Sequence, residues 1–362
     1  MKPDQPAIAS LLWAAMLAGC HTPASPVHAA AAWTIEAGPP LPEPIANNAV
    51  ASSRAGGRDQ LFTFLGLGAA KDFRAITRHA YALDLRKGVW ERLPDVPGDV
   101  GRIAATAQSV GAHIYLFGGY SVAEDGKETT HATVEVYDVA ARRYSRGSET
   151  PVPVDDAVSG VWRDRLIFLI GGWSRSDNVD AVQVYDPATD KWRRATSIPG
   201  TPVFGHAGAI AGDVIVYCGG ARVQAPRLPK YVANAECYRG DIDPRDPTQV
   251  AWRLIAHHPG PPRYRAAAGA IRKGGMTGVM FVGGASSPYN YNAVGYDGRP
   301  VEPLADAWIY DIHRDTWSPG PHLSVPSMDH RGLLSLGGFW WMVGGFGSGQ
   351  AVSKGVTRLG SP

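Results

Sequence analysis

A hydrophobic run that ends in two glycines returns along this chain: IYLFGGY, LIFLIGGW, VIVYCGGA, VMFVGGA and WWMVGGF. The second glycines are residues 119, 172, 220, 284 and 345, so the copies lie 48 to 64 residues apart. A degenerate copy, LFTFLGLG, precedes them at 61–68. After each doublet comes a loop and then an alternating strand ending in an aromatic-Asp pair, as at Tyr137-Asp138, Tyr185-Asp186 and Tyr310-Asp311. A large aromatic residue follows within a short turn: Trp90, Tyr144, Trp192, Trp252 and Trp317. A unit of four short strands cannot bury both faces of its sheet alone, so copies in phase must stack on one another. The 43 glycines and 29 prolines fit a chain of many turns between short strands.

This signature of Gly-Gly, Tyr-Asp and Trp resembles the kelch repeat, over essentially all of residues 33–362. The resemblance implies an all-β fold, a six-bladed kelch-type β-propeller. The doublets would end the second strand of each blade, where a Cβ would crowd the backbone or φ must be positive. The sixth repeat reaches Leu359 without its Trp, while a strand around Trp33 followed by GPPLPEP stands alone at the other end. The N-terminal strand is therefore expected to close the last blade and leave no open sheet edge.

The first twenty residues, MKPDQPAIASLLWAAMLAGC, hold an apolar run from Ala7 to Ala18 that is too short to span a bilayer. It reads as a signal peptide over 1–19. Leu17-Ala18-Gly19-Cys20 resembles the bacterial lipoprotein box, which implies lipidation of Cys20, a tether over 20–32 and residence in the periplasm. His21, in place of an aspartate, implies the outer membrane. The alternative is ordinary cleavage near Val27-His28-Ala29; both readings export the protein. Cys218 and Cys237 lie near the ends of two segments read as neighbouring strands. They form either a disulfide or two buried thiols. No metal is expected, since no Cys or His stands at ligand spacing around them. A net charge of +2 gives no electrostatic reason for a nucleic-acid partner.

With the strands of each blade lettered a to d outward from the axis, the residues before strand a and those after the doublet share one face. The first group includes Asn47, Asn48, Arg102, Asp155, Asp156, His206, Arg263, Tyr264, Arg265, Asp329, His330 and Arg331. The second includes Tyr120, Trp173 and Arg222. A polar, aromatic-walled mouth is the default ligand site. Arg102, Arg263 and Arg265 are clamp candidates for a carboxylate, since guanidinium forks pair with it through two hydrogen bonds. Their alternative role is to bond neighbouring carbonyls or an Asp of the next blade. The fifth b-to-c loop, SSPYNYNAVGYDGRPVEP (286–303), adds Tyr289 and Tyr291, side chains that stack on sugar faces. It could equally fold on itself as a lid.

Exported kelch propellers of bacteria include N-acetylneuraminate epimerases, which this chain resembles. That resemblance implies a mutarotase-type isomerase of a small sugar acid, without a cofactor. His206, Asp156 and His330 are the acid/base candidates. The family pattern has a Glu after a strand-b glycine and an Arg six positions later. Here those positions hold Ala221 and Arg227, with Glu236 as the candidate substitute acid. The other reading is a non-catalytic propeller of the cell envelope that binds a glycan or a protein, tied to the membrane only through its lipid.

Overall fold

In a computed structural model that describes residues 32–361, six four-stranded antiparallel sheets follow one another along the chain. The first runs through Ala49–Ser53, Gln60–Phe64, Ala80–Asp84 and Val89–Arg92 as strands a to d. The next four blades begin with Thr106–Val110, Val158–Trp162, Ala207–Ala211 and Ala267–Lys273. The sixth takes Leu334–Leu336, Phe339–Val343 and Val356–Gly360 from the end of the chain and its outer strand, Thr34–Ala37, from the beginning. Ile35 pairs with Leu359 and Glu36 with Arg358. The expected ring closure is therefore present, and the fold is a six-bladed β-propeller. The segment expected to be a signal peptide and tether, with Cys20, lies outside the described residues except for Ala32.

Strand b explains why the blades stack. Leu166–Ile170 is apolar at every position and buried at every position. Phe168 and Ile170 pack toward the fourth blade, while Ile167 and Leu169 pack toward the second. Period-two alternation thus serves two interfaces, and each neighbouring pair of blades encloses its own apolar cluster. In the third, fourth and fifth blades the strand-d tryptophan ties the blade to the one before it. The Trp192 indole donates to Ser148 O at 2.9 Å, Trp252 to Thr196 O at 3.1 Å and Trp317 to Ala256 O at 2.6 Å. The Asp that ends strand c caps the next turn: Asp138 Oδ1 accepts from Ala140 N and Asp186 Oδ1 from Ala188 N.

The glycine doublet is needed for space and for backbone conformation together. Gly118 and Gly119 have φ of 58° and 80°, and a Cβ on Gly118 would lie 2.0 Å from Val154 O of the next blade. Gly119 N donates to that same carbonyl at 3.1 Å, and Gly220 and Gly345 make the equivalent bonds to Arg263 O and Ile45 O. Close backbone approach stitches blade to blade near the axis.

Candidate functional site

In every blade the residue before strand a bridges the residue after the doublet: Ala46 with Leu67, Ile103 with Tyr120, Asp155 with Trp173, Phe204 with Ala221, Tyr264 with Ala285 and Met328 with Phe346. The two groups do share one face, but they fill its centre. Phe204, Tyr264, Met328, Phe346 and Tyr120 form a buried apolar plug. The fifth b-to-c loop folds over it, with Tyr289 and Ala293 wholly buried, so it is a self-packed lid. Tyr291 and Trp173 sit half-buried at the edge of the plug.

Directly after each bridge comes a left-handed residue: Asn47, Ala104, Asp156, Gly205, Arg265 and Asp329, with φ between 50° and 72°. Their backbones form a belt around the axis. Ala104 N donates to Asn47 O, Asp156 N to Ala104 O, Gly205 N to Asp156 O, Arg265 N to Gly205 O and Asp329 N to Arg265 O, at 2.7 to 3.2 Å. The sixth link, from Asn47 back to Asp329, is made by a side chain: Arg331 donates to Asn47 Oδ1.

The side chains of this belt close the axis electrostatically. Arg265 pairs with Asp156 at 2.5 Å and with Asp329 at 3.4 Å, and Arg331 pairs with Asp156 at 2.7 Å. All four are almost completely buried, so each charge depends on its partners. Burial alone would raise the Asp156 carboxyl, but Arg265 and Arg331 hold it below the ordinary carboxylate range. Burial outweighs the same two cations at Asp329 and raises it. Burial and the adjacent Asp156 push Asp155 well upward; its carboxylate accepts from Thr130 Oγ1 at 2.8 Å.

On the other side of the belt lies an axial cavity of about 370 Å3. Its inner end is formed by Asp156, His206, His330 and Arg331, and its outer end reaches the exposed Asp164, on the a-to-b turn of the third blade, and the exposed Ser335, on strand a of the sixth. The cavity therefore opens on the face opposite to the one where a mouth was expected. The walls are strand a, rich in Ala and Gly, with Ser52, Gln108, Ser109 and Ser159 as polar groups. Gln108 Nε2 donates to Ser159 Oγ at 2.8 Å. Ser109 Oγ, His206 Nδ1 and Arg331 Nε are buried with no protein partner. His206 Nε2 donates to Ile170 O at 3.0 Å, which leaves Nδ1 as the acceptor. Burial lowers the His206 imidazole to about 4 and, with Arg331, that of His330 to about 3. Both rings are neutral at pH 7.

Of the residues singled out from sequence, His206, Asp156 and His330 meet at this inner end. The binding candidates do not. Arg102 is buried and donates to Gly118 O at 2.9 Å, to Thr133 and to Glu135. Arg263 donates to Gly283 O at 2.9 Å and to Asp306. Both hold glycine-doublet carbonyls within their own blades. Arg265 lies in the belt, stacked on Tyr264 and Tyr289. Tyr120 and Tyr289 belong to the plug, and Arg222 and Arg227 are exposed in the fourth b-to-c loop. Glu236, the substitute acid, is exposed and accepts from Tyr238 Oη at 3.0 Å, away from the cavity. The sulfurs of Cys218 and Cys237 are joined as a disulfide between strands b and c of the fourth blade. Sequence reasoning missed Ser52, Gln108, Ser109 and Ser159; their signal was the alternation of small and hydroxyl residues along strand a.

The family model for the KLHDC2/KLHL20/DRC7 Kelch-repeats domain matches residues 55–284. Kelch domain-containing protein 3 of Rattus norvegicus and of Homo sapiens are each 26 % identical to this chain over 271 residues, 69 % of its length. The match spans 65 % of the length of those relatives. Kelch-like protein 34 of Homo sapiens is 25 % identical over 188 residues, which is 52 % of this chain and 26 % of that protein. A solved structure described as "Structure of YjhT" superposes with a TM-score of 0.68 and 19 % identity, covering 89 % of this chain and 95 % of that one. At that identity the likeness is one of fold.

Proposed function

The chain belongs to the kelch-repeat family, and from that premise we propose that its axial cavity binds a small sugar acid and interconverts its anomers. The observation that carries this reading is the gathering of Ser109 Oγ, His206 Nδ1 and Arg331 Nε at one cavity. Buried polar atoms without partners are costly, and a polyhydroxylated anion satisfies a donor, an acceptor and a hydroxyl together. The volume falls within the roughly 300–1,000 Å3 usual for small-molecule sites.

Mutarotation asks little of a protein: one group takes the anomeric hydroxyl proton while another gives a proton to the ring oxygen. Neutral His206 is the acceptor through Nδ1, and the Ser109 hydroxyl is the donor on the wall. Arg331 holds the carboxylate through Nε. Asp156, engaged by two guanidinium groups, positions Arg331 and carries no proton. Proton NMR of freshly dissolved N-acetylneuraminate tests this. Faster anomeric equilibration, lost in His206→Ala, supports it; an unchanged rate together with no ligand shifts overturns it.

A second reading, a protein partner on the plugged face, is favoured by the contacting, half-buried Trp173, Tyr231 and Tyr296 and by Leu228, 88 % exposed in the same b-to-c loop as Tyr231. It requires Leu228→Glu to abolish partner capture and leave sugar binding intact. We also infer export and anchoring to the outer membrane through Cys20, a reading supported by the disulfide of the fourth blade. Failure of the full-length protein to take up labelled palmitate at Cys20 would overturn the anchor.

A further inference from the structure

The axial cavity continues beyond its mouth. Val161, Asp164, Ile210, Ala270 and Ser335 line it, and the same residues line a second hollow of about 560 Å3 on the a-to-b turn face. The chemistry changes between the two. Hydroxyls and small residues give way to Arg163, Arg272 and Lys273, with Asp164 as the one carboxylate side chain lining the hollow among the described residues.

Two of these cations are already engaged. Arg163 donates to Asp213 from Nε at 3.0 Å and from Nη2 at 2.9 Å, and its guanidinium lies 4.4 Å from the Trp162 ring centre. Lys273 Nζ donates to Ser361 O at 2.8 Å. Arg272 is different: among the described residues no side chain or carbonyl pairs with it. Its guanidinium reaches from the fifth blade over the turn of the fourth, where a Cβ on Gly212 would lie 3.7 Å from Nη2. An uncommitted planar donor therefore stands at the rim of a hollow continuous with the polar cavity.

We propose that this hollow is a second subsite, and that the site takes the reducing end of an acidic oligosaccharide. The inference rests on the sugar-acid reading of the axial cavity. The reducing unit, which carries the free anomeric centre, enters the cavity. The next unit occupies the hollow and presents its carboxylate to Arg272, which can grip it through two parallel N–H donors. Asp164, at the junction, repels a carboxylate placed too close to the mouth and sets its register outward.

Titration calorimetry with the folded propeller tests this, using N-acetylneuraminate and its α2,8-linked dimer as probes at low and high salt. The dimer is expected to bind at least about fivefold tighter than the monomer. That advantage should shrink as salt screens the exposed charge and should vanish in Arg272→Gln. Monomer affinity in each protein is the reference. Dimer binding no tighter than monomer, or an advantage that survives Arg272→Gln, overturns the subsite and leaves the sugar-acid reading standing. Binding of neither probe overturns that reading and the subsite with it.

Discussion

The guanidinium of Arg331, just before the sixth blade, meets the carboxylate of Asp156, just before the third, at 2.7 Å across the propeller axis. The partners lie on opposite blades, so this contact spans the ring instead of following it. Asp156→Asn keeps the shape, and asparagine tolerates the left-handed backbone there. It removes the charge that balances Arg265 and Arg331. Breaking a buried pair costs about 3–5 kcal/mol. Urea unfolding at pH 7 is expected to show a loss of that size. A loss below about 1 kcal/mol would mean the two arginines find compensation elsewhere.

Stability should also depend on pH through the histidines at the cavity floor. The folded His206 titrates at about 4 and His330 at about 3, against 6.5 for a free imidazole. Between those values the unfolded chain takes up protons that the folded chain refuses. Their contribution is complete above pH 6.5 and is lost as pH falls, by about 3 kcal/mol for His206 alone. His206→Gln should flatten the urea midpoint between about pH 7 and 4.5 relative to the unaltered protein. Identical pH curves for the two proteins would show that the ring is not buried in its neutral form.

The two demands on the doublet glycines can be separated by substitution. Gly111, in an a-to-b turn, has φ of 60° and open space within 4 Å of where a Cβ would stand, whereas Gly118 has φ of 58° and a carbonyl at 2.0 Å. Gly111→Ala should cost only the left-handed conformation, about 1 kcal/mol. Gly118→Ala should cost well over about 3 kcal/mol, because the contact it violates is the backbone seam between blades. Equal losses would mean that conformation alone selects these glycines.

The disulfide between Cys218 and Cys237 closes a loop with a sequence separation of 19, which carries Arg222, Arg227 and Lys230. Loop-closure entropy assigns such a link about 3 kcal/mol. A Cys218→Ala/Cys237→Ala double variant is expected to unfold at correspondingly lower urea. Reductant should shift the unaltered protein to the same midpoint, once unfolding exposes the sulfurs. An unshifted double variant would show that the bond contributes nothing to the fold.

The fold was legible because it is written six times over. The doublets mark where backbones nearly touch, and the missing sixth Trp pointed to the N-terminal strand as its replacement. His206 and His330 were legible as neighbours because they occupy equivalent positions in their blades, and Asp156 because it stands one position before that place in its own blade. What Arg102 and Arg263 bind was not legible. Their acids, Glu135 and Asp306, lie on or just before strand c, tens of residues away and without a shared motif. The side of the belt that stays open was hidden for a related reason. It depends on Phe204, Tyr264, Tyr289 and Phe346 converging from the fourth, fifth and sixth blades, while the opposite side is lined by residues too small to meet.

The closed belt makes the cavity a dead end, and that restricts traffic through it. A solute cannot thread the ring, so it must leave by the opening it used to arrive. Two ligands cannot pass one another, and one must depart before the next is admitted. A polymer can offer the floor histidines only its terminus, never an internal unit. Whatever enters this cavity must enter it by an end.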